Sequence, residues 1–199
     1  MIQTLIIFVR NPIEGQVKTR IARVVGDARA TEIYQYLLMH TRQVSGELHS
    51  PAGSELRRVV YYADYVNDRD LWNGYEKFRQ AEGDLGERMR RAFEEQLARG
   101  ADRCVIIGSD CLDLTESHLR EAFRLLDTHD CVFGPATDGG YYLLGLKQVI
   151  PSIFENKPWS QPTLLEETLA ELDSQGISYT LLETLSDVDE WEDAERYGL

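Results

Sequence analysis

The sequence has few cysteines, and they form no pattern that carries structure or chemistry. Cys104, Cys111 and Cys131 are odd in number and show no CxxC spacing, which excludes a disulfide framework and disfavours a zinc site. We interpret them as reduced thiols and expect a cytoplasmic protein. Long apolar runs are also absent: nothing approaches the ~18 residues of a membrane span, and the opening segment MIQTLIIFVR lacks the length and basic flank of a secretory signal. We therefore expect no membrane insertion.

Basic side chains are scarce. The chain has 21 Lys and Arg against 34 Asp and Glu, which gives a formal net charge of −13 at pH 7. Such a charge repels polyanions, so we expect no nucleic-acid partner. Any phosphate that binds must then be held by a few focused cations or by a metal ion. Histidine chemistry is disfavoured because the four histidines lie outside the polar loops described below, and the absence of a G-x-S-x-G segment disfavours an acyl hydrolase.

The chain does contain enough apolar residues for a sizeable core. Its 199 residues, 43% of them hydrophobic, predict one domain over residues 1–199. Runs typical of strands alternate with segments of helical periodicity, which predicts an α/β protein with a mostly parallel sheet covered on both faces. The predicted strands are 4–9, 58–64, 105–107, 131–133, 141–146 and 177–182, and the predicted helices are 31–44, 85–97, 119–126, 164–172 and 190–197.

Polar segments follow the predicted strands, at the place where ligands bind to parallel sheets. They are residues 10–20, 109–113, 135–140 and 186–189. The first contains Lys18 and Arg20 in a loop punctuated by Pro12 and Gly15, which suits a di- or triphosphate. It matches neither the Walker A pattern nor G-x-G-x-x-G. A solvated basic loop is the equally weighted alternative.

Three aspartates are candidates for holding a divalent cation. Asp110 directly follows a buried strand, and Asp187 and Asp189 follow the last one. Mg²⁺ and Mn²⁺ prefer such oxygen ligands and usually bind through one or two carboxylates together with substrate phosphates. The alternative is that these side chains only cap helices or turns. The position of Asp110 directly after a buried strand favours a role in metal binding over capping.

Two further segments could contact substrates. Asp138 lies at the tip of a loop with Gly139 and Gly140, where hairpin turn chemistry is the alternative. Trp159 could stack on a ligand, although a half-buried anchor is the commoner fate of this residue type. The segment GDLGERM opens a helix with small residues that would let a base or ribose approach, and Arg88 could reach a base edge or phosphate or simply face solvent.

Taken in order, six segments resemble the small bacterial and archaeal glycosyltransferase-A-like proteins often labelled selenodomain-associated transferases. The segments are PIEGQVKTRI, GDLGERM, VIIGSDCLDL, GPATDGGYYLLGL, PWSQPTLLEETL and LSDVDEWED. The resemblance implies a nucleotide-diphospho-sugar transferase (glycosyltransferase-A) fold, a three-layer α/β/α sandwich with a mostly parallel, mixed sheet. More distantly, the chain is similar to phospholactate and molybdenum-cofactor guanylyltransferases.

The resemblance also implies roles for individual residues. The first loop looks like the nucleotide-phosphate loop, and the segment around Asp84 and Arg88 looks like the base and ribose region. Asp110 occupies the place of the metal-binding aspartate, with Asp187 or Asp189 as a second carboxylate. In the first loop the resemblance points to Lys18 and Arg20, and we add Arg10 and Gly15 of the same segment as candidate phosphate-binding residues.

The leading hypothesis is a Mg²⁺- or Mn²⁺-dependent glycosyltransferase that uses a nucleotide-diphospho-sugar and a small-molecule acceptor. Asp110 and Asp138 would be its catalytic residues, with Gly139, Gly140 and Trp159 near the acceptor. The first loop lacks the double glycine of sugar-nucleotide pyrophosphorylases, which favours this hypothesis. Two alternatives remain open: a nucleotidyltransferase, guanylyl or related, that joins a nucleoside triphosphate to a small phosphorylated acceptor, and a non-catalytic nucleotide-binding protein.

Overall fold

A seven-stranded sheet runs through the middle of the protein in the computed structural model, which describes residues 1–199. The strand order is β3-β2-β1-β4-β6-β5-β7, and all neighbours are parallel except β6, which is antiparallel to β4 and β5. The short connection between β5 and β6 allows only an antiparallel pair. The strands are β1 (Ile2–Val9), β2 (Glu55–Tyr62), β3 (Glu76–Arg79), β4 (Arg103–Ile107), β5 (Cys131–Pro135), β6 (Tyr141–Leu146) and β7 (Tyr179–Leu181).

Helices cover both faces of the sheet, which confirms the predicted α/β architecture. One apolar core lies between the sheet and α1, α2, α4 and α6, and a second lies between the sheet and α3 and α5. The helices are α1 (Thr19–Val25), α2 (Asp27–Glu47), α3 (Leu85–Ala98), α4 (Glu116–Leu125), α5 (Leu164–Gln175) and α6 (Trp191–Arg196). None of these helices combines the length and the apolar content needed to cross a bilayer.

The central position of β1 in the sheet explains why its sequence is continuously apolar. Leu5 and Ile7 point into the first core and Ile6 into the second, because successive side chains of a strand face opposite sides of the sheet. All three are fully buried. The cysteines lie in the same cores, and burial raises the pKa of each thiol to about 12.

The structure corrects two features of the sequence prediction. Strand β3, with the sequence EKFR, was not predicted, because an edge strand whose faces are half exposed carries no apolar run. Residues 10–20 were predicted as a loop, but α1 begins within them at Thr19, and α2 begins at Asp27 rather than at residue 31. Gly26 separates the two helices with a φ of 85° that ends the first one.

Candidate functional site

The carboxyl ends of β1 and β4 open into a polar groove of about 700 Å³. Parallel neighbouring strands end at the same edge of the sheet, so the polar segments that follow them meet there. The groove brings together seven of the residues singled out in the sequence: Arg10, Lys18, Arg20, Arg88, Asp110, Asp138 and Asp189.

Lys18 lies at the centre of this groove. Its Nζ is 2.9 Å from Oδ1 of Asp110 and 3.0 Å from Oδ1 of Asp189, and its side chain is only 7% exposed. Burial disfavours the charged ammonium, but the two carboxylates outweigh that effect and hold the pKa of Lys18 above its ordinary value. The Val188 N–H donates to the Asp110 carbonyl at 2.8 Å, which fixes the segment containing Asp189 against the end of β4.

Asp187 and Asp189 face two different cavities. Asp189 lines the groove, whereas Asp187 lines an adjoining, smaller pocket, and the buried Val188 separates them. Burial raises the pKa of Asp187 to about 7, and the nearby charges of Asp110 and Asp189 add to the rise. Neither side chain caps α6, because Glu190 and Asp193 form that capping box.

The carboxylates of Asp110 and Asp189 are suited to a divalent cation. The Oδ1 atom of Asp110 is buried and has no partner apart from the Lys18 ammonium, and Asp189 shares that ammonium. No group of three His, Cys, Asp or Glu side chains is placed to hold a metal ion by itself. Since Mg²⁺ usually binds through one or two carboxylates together with substrate phosphates, this pair fits Mg²⁺ or Mn²⁺ that arrives with a phosphorylated ligand.

The remaining phosphate-loop and base-region candidates divide into two groups. Arg20 lines the groove and pairs with Glu190 at 3.3 Å, and Arg88 lines it while its Nε donates to the Gly83 carbonyl at 2.9 Å. Two residues lie outside the groove lining. Gly15 forms a turn with a φ of 76°, and the Asp84 carboxylate caps α3 by accepting from the Glu87 N–H at 2.8 Å.

Sequence reasoning missed the tyrosine that joins the ends of β1 and β4. The Tyr34 hydroxyl accepts a hydrogen bond from the Arg10 N–H at 2.9 Å and lies 3.3 Å from Oγ of Ser109. Burial and the charge of Asp110 raise the pKa of Tyr34 to about 12. Helical periodicity predicts that Tyr34 is buried in the core, as observed. It does not predict which groups the Tyr34 hydroxyl contacts.

The loop between β5 and β6 joins the groove to the smaller pocket. Asp138 lines both cavities, and its carboxylate accepts from the Gly140 N–H at 2.9 Å. Gly139 has a φ of 89°, and a Cβ atom there would lie 2.0 Å from the carbonyl oxygen of Pro162, so only glycine fits. Trp159 lines the pocket and packs directly on Gly86 of α3.

The chain matches one protein family and several solved structures. A family model described as "Uncharacterized protein conserved in bacteria (DUF2064)" matches residues 50–161. A search of curated proteins finds no match.

Several solved structures are similar to the chain. A protein from Desulfovibrio desulfuricans G20, provisionally assigned as a nucleotide-diphospho-sugar transferase, is 29% identical, with a TM-score of 0.84 over 94% of this chain and 82% of that one. CMP:2-keto-3-deoxy-manno-octonic acid synthetase in complex with CTP is 12% identical, with a TM-score of 0.57 over 98% and 96% of the two chains. Rv0371c of Mycobacterium tuberculosis H37Rv in complex with manganese is 14% identical, with a TM-score of 0.53 over 98% and 96%. The similarity to the Desulfovibrio protein confirms the predicted fold, and the other two proteins share this fold.

Proposed function

Because the chain belongs to the DUF2064 family and has the fold of nucleotide-using transferases, we propose that it is a metal-dependent transferase that binds a nucleotide-activated donor in the groove. The donor we propose is a nucleotide-diphospho-sugar. The observation that carries the proposal is the buried Lys18 ammonium held between Asp110 and Asp189, where β1 and β4 end. It puts one fixed cation and two carboxylates in a groove whose rim is arginine-rich.

Phosphate binding is assigned to the groove cations. Arg10, Lys18, Arg20 and Arg88 all line the groove in a protein with a formal net charge of −13. Guanidinium and ammonium groups form charge-assisted hydrogen bonds with phosphate oxygens, which are shorter and stronger than neutral ones. These four cations, set against the three aspartates that line the same groove, support a diphosphate as the part of the donor that the groove holds.

The carboxylates have a separate role. Asp110 and Asp189 would hold Mg²⁺ or Mn²⁺, which when bound would offset the charge of the departing diphosphate. In the proposed transfer the acceptor hydroxyl oxygen forms a bond to C1 of the sugar. The bond between C1 and the diphosphate oxygen breaks, and its electron pair leaves with the nucleoside diphosphate. Asp138 lines both cavities, so it would lie between donor and acceptor and would take the hydroxyl proton.

A nucleotidyltransferase is the second candidate. The fold that this chain shares with the CTP-complexed synthetase supports it, since the same groove would hold a nucleoside triphosphate. The two candidates differ in what they recognise. A glycosyltransferase must bind the sugar beyond the diphosphate, whereas a nucleotidyltransferase needs the whole triphosphate and releases pyrophosphate.

The test is a ligand screen by thermal shift in the presence of Mn²⁺. It would include the four common ribonucleoside triphosphates and a panel of uridine-, guanosine- and thymidine-diphosphate sugars. A ligand at about 100 times its Kd stabilises the native state by ~2.7 kcal/mol, which is readily detected. We expect a nucleotide sugar to stabilise at least as well as the matching triphosphate. A triphosphate that binds much more tightly than the nucleotide sugar, with pyrophosphate release when phosphorylated acceptors are added, would favour the second candidate. The absence of a thermal shift with any nucleotide would refute both candidates.

A matched pair of arginine variants locates the phosphates. Arg20→Met removes a groove cation that is paired with Glu190, and Arg29→Met removes an exposed cation that is paired with Glu32 on α2, outside the groove. Loss of a charge-assisted contact costs about 1.5–3 kcal/mol, which is roughly a 10- to 100-fold weaker Kd. Arg20→Met should weaken the binding of a nucleotide diphosphate by this factor and leave the Kd of the free nucleoside unchanged. Arg29→Met should change neither Kd.

A further inference from the structure

The smaller pocket beside the groove has a different chemical character. Its volume is about 230 Å³, or roughly eight times the ~30 Å³ that a water molecule occupies in the liquid. Phe8, Leu85, Gly108, Asp138 and Ser160 line both cavities, so a molecule in the pocket would meet one in the groove. Most of the lining residues are apolar, among them Phe8, Leu85, Met89, Leu144, Trp159 and Leu164.

The charged groups of the pocket are all acidic. Asp138 and Asp187 contribute carboxyl groups, and no Lys, Arg or His side chain lines the pocket. A phosphate or carboxylate group brought here would lose its hydration, meet no cation and face two acidic side chains. Burying an anion under those conditions is strongly unfavourable. The groove next to it differs, because Lys18 and three arginines line it together with three aspartates.

One hydroxyl in the pocket wall has no partner. Tyr141 lines the pocket, and its hydroxyl is buried and forms no hydrogen bond with any protein group. Burial also raises the pKa of Tyr141, so the group is a neutral O–H. Because this hydroxyl has no accessible surface, Tyr141 adds no hydrogen-bonding group to the pocket, in keeping with its apolar lining.

We propose that this pocket binds the acceptor substrate, and that the acceptor is an uncharged alcohol with an apolar body. The inference rests on the proposed function, and it selects the acceptor class. An apolar body fits the lining, a hydroxyl at the junction lies beside Asp138, and the lack of any cation excludes phosphorylated acceptors. This acceptor class agrees with the glycosyltransferase and disagrees with a nucleotidyltransferase whose acceptor is phosphorylated.

The charge argument is tested with benzyl alcohol and benzyl phosphate, which share one apolar ring. Binding is followed by ligand-observed NMR with the full chain, and pocket occupancy by displacement of benzyl alcohol. We expect benzyl alcohol to bind with a Kd on the order of 1 mM, as for a small fragment. Benzyl phosphate should fail to displace it. Displacement by benzyl phosphate in the wild-type protein would overturn the inference.

A pair of variants makes the same test in the gain-of-function direction. Gln161 lines the pocket and is exposed, so Gln161→Arg places a cation at the rim without disturbing the core. Gln43→Arg on α2 is the matched control, with the same change in net charge on an exposed residue outside the pocket. Gln161→Arg should let benzyl phosphate displace benzyl alcohol, and Gln43→Arg should not. The same behaviour in both variants would contradict a local effect of charge.

These results separate failure of the pocket inference from failure of the proposed function. Nucleotide-sugar binding with Mn²⁺ is measured on the same preparations. A protein that binds the nucleotide sugar but not benzyl alcohol overturns the acceptor inference and leaves the proposed function standing. The protein could instead bind benzyl alcohol with the expected charge selectivity and bind no nucleotide. The pocket would then be a site for neutral ligands, and its assignment to an acceptor substrate would be refuted.

Discussion

Replacing the buried lysine of the groove should destabilise the protein in a pH-dependent way. In Lys18→Met the methionine retains most of the apolar stem, so the main loss is the ammonium between Asp110 and Asp189. Removing one partner of a fully buried ion pair costs about 3–5 kcal/mol. Here the two carboxylates are 39% and 48% exposed and can be rehydrated. We therefore expect a loss of about 1–3 kcal/mol at pH 8.

The sign of the pH dependence follows from Asp187. Its pKa is raised from 3.8 to about 7, and the Lys18 charge is the one nearby influence that lowers it. Without that charge the pKa rises further. A carboxyl group whose folded-state pKa is raised makes folding more favourable at low pH, and this contribution is lost as pH rises through the folded-state pKa. The free-energy difference between wild type and Lys18→Met should therefore be smaller at pH 5 than at pH 8.

The measurement is urea unfolding of both proteins at pH 5 and pH 8. Lys157→Met is the matched control: this lysine is 3% exposed and pairs with one carboxylate, Glu171, at 2.5 Å, outside the groove. It should lose a similar amount of stability at both pH values. An equal loss for Lys18→Met at pH 5 and pH 8, or no loss at pH 8, would refute the reasoning.

Three further predictions address single residues. Asp187→Asn should be more stable than wild type by about 1–3 kcal/mol at pH 8, with the advantage fading toward pH 4 as the wild-type carboxyl is protonated, and urea unfolding across this range checks it. Gly139→Ala should cost about 2–4 kcal/mol, because its Cβ would meet Pro162, whereas Gly53→Ala, also at positive φ but with free space around it, should cost about 1 kcal/mol in the same assay. Asp110→Ala should keep the fold and lose the Mn²⁺-dependent part of nucleotide stabilisation in a thermal shift; equal metal-dependent shifts in both proteins would place the cation elsewhere.

The sequence alone determined the layered architecture, because burial leaves a periodic pattern in neighbouring residues. The continuous apolar run of β1 predicts a strand buried on both faces, and the spacing of Met89 and Phe93 predicts the buried stripe of α3. The same reasoning placed the polar segments at the carboxyl ends of the strands. It did not find β3, whose half-exposed edge position leaves no apolar signal.

Only the tertiary structure decided how the candidate residues combine. Lys18 and Asp189 are 171 positions apart, and their contact depends on the backbone hydrogen bond from Val188 to Asp110 that no local pattern encodes. The same long-range packing turns Asp187 into the apolar pocket and leaves the Tyr141 hydroxyl without a partner. Side-chain spacing along a chain fixes which residues share one face of an element. Which faces meet across the sheet depends on strand order and register. Here these place a groove lined by four cationic side chains beside a pocket without cations.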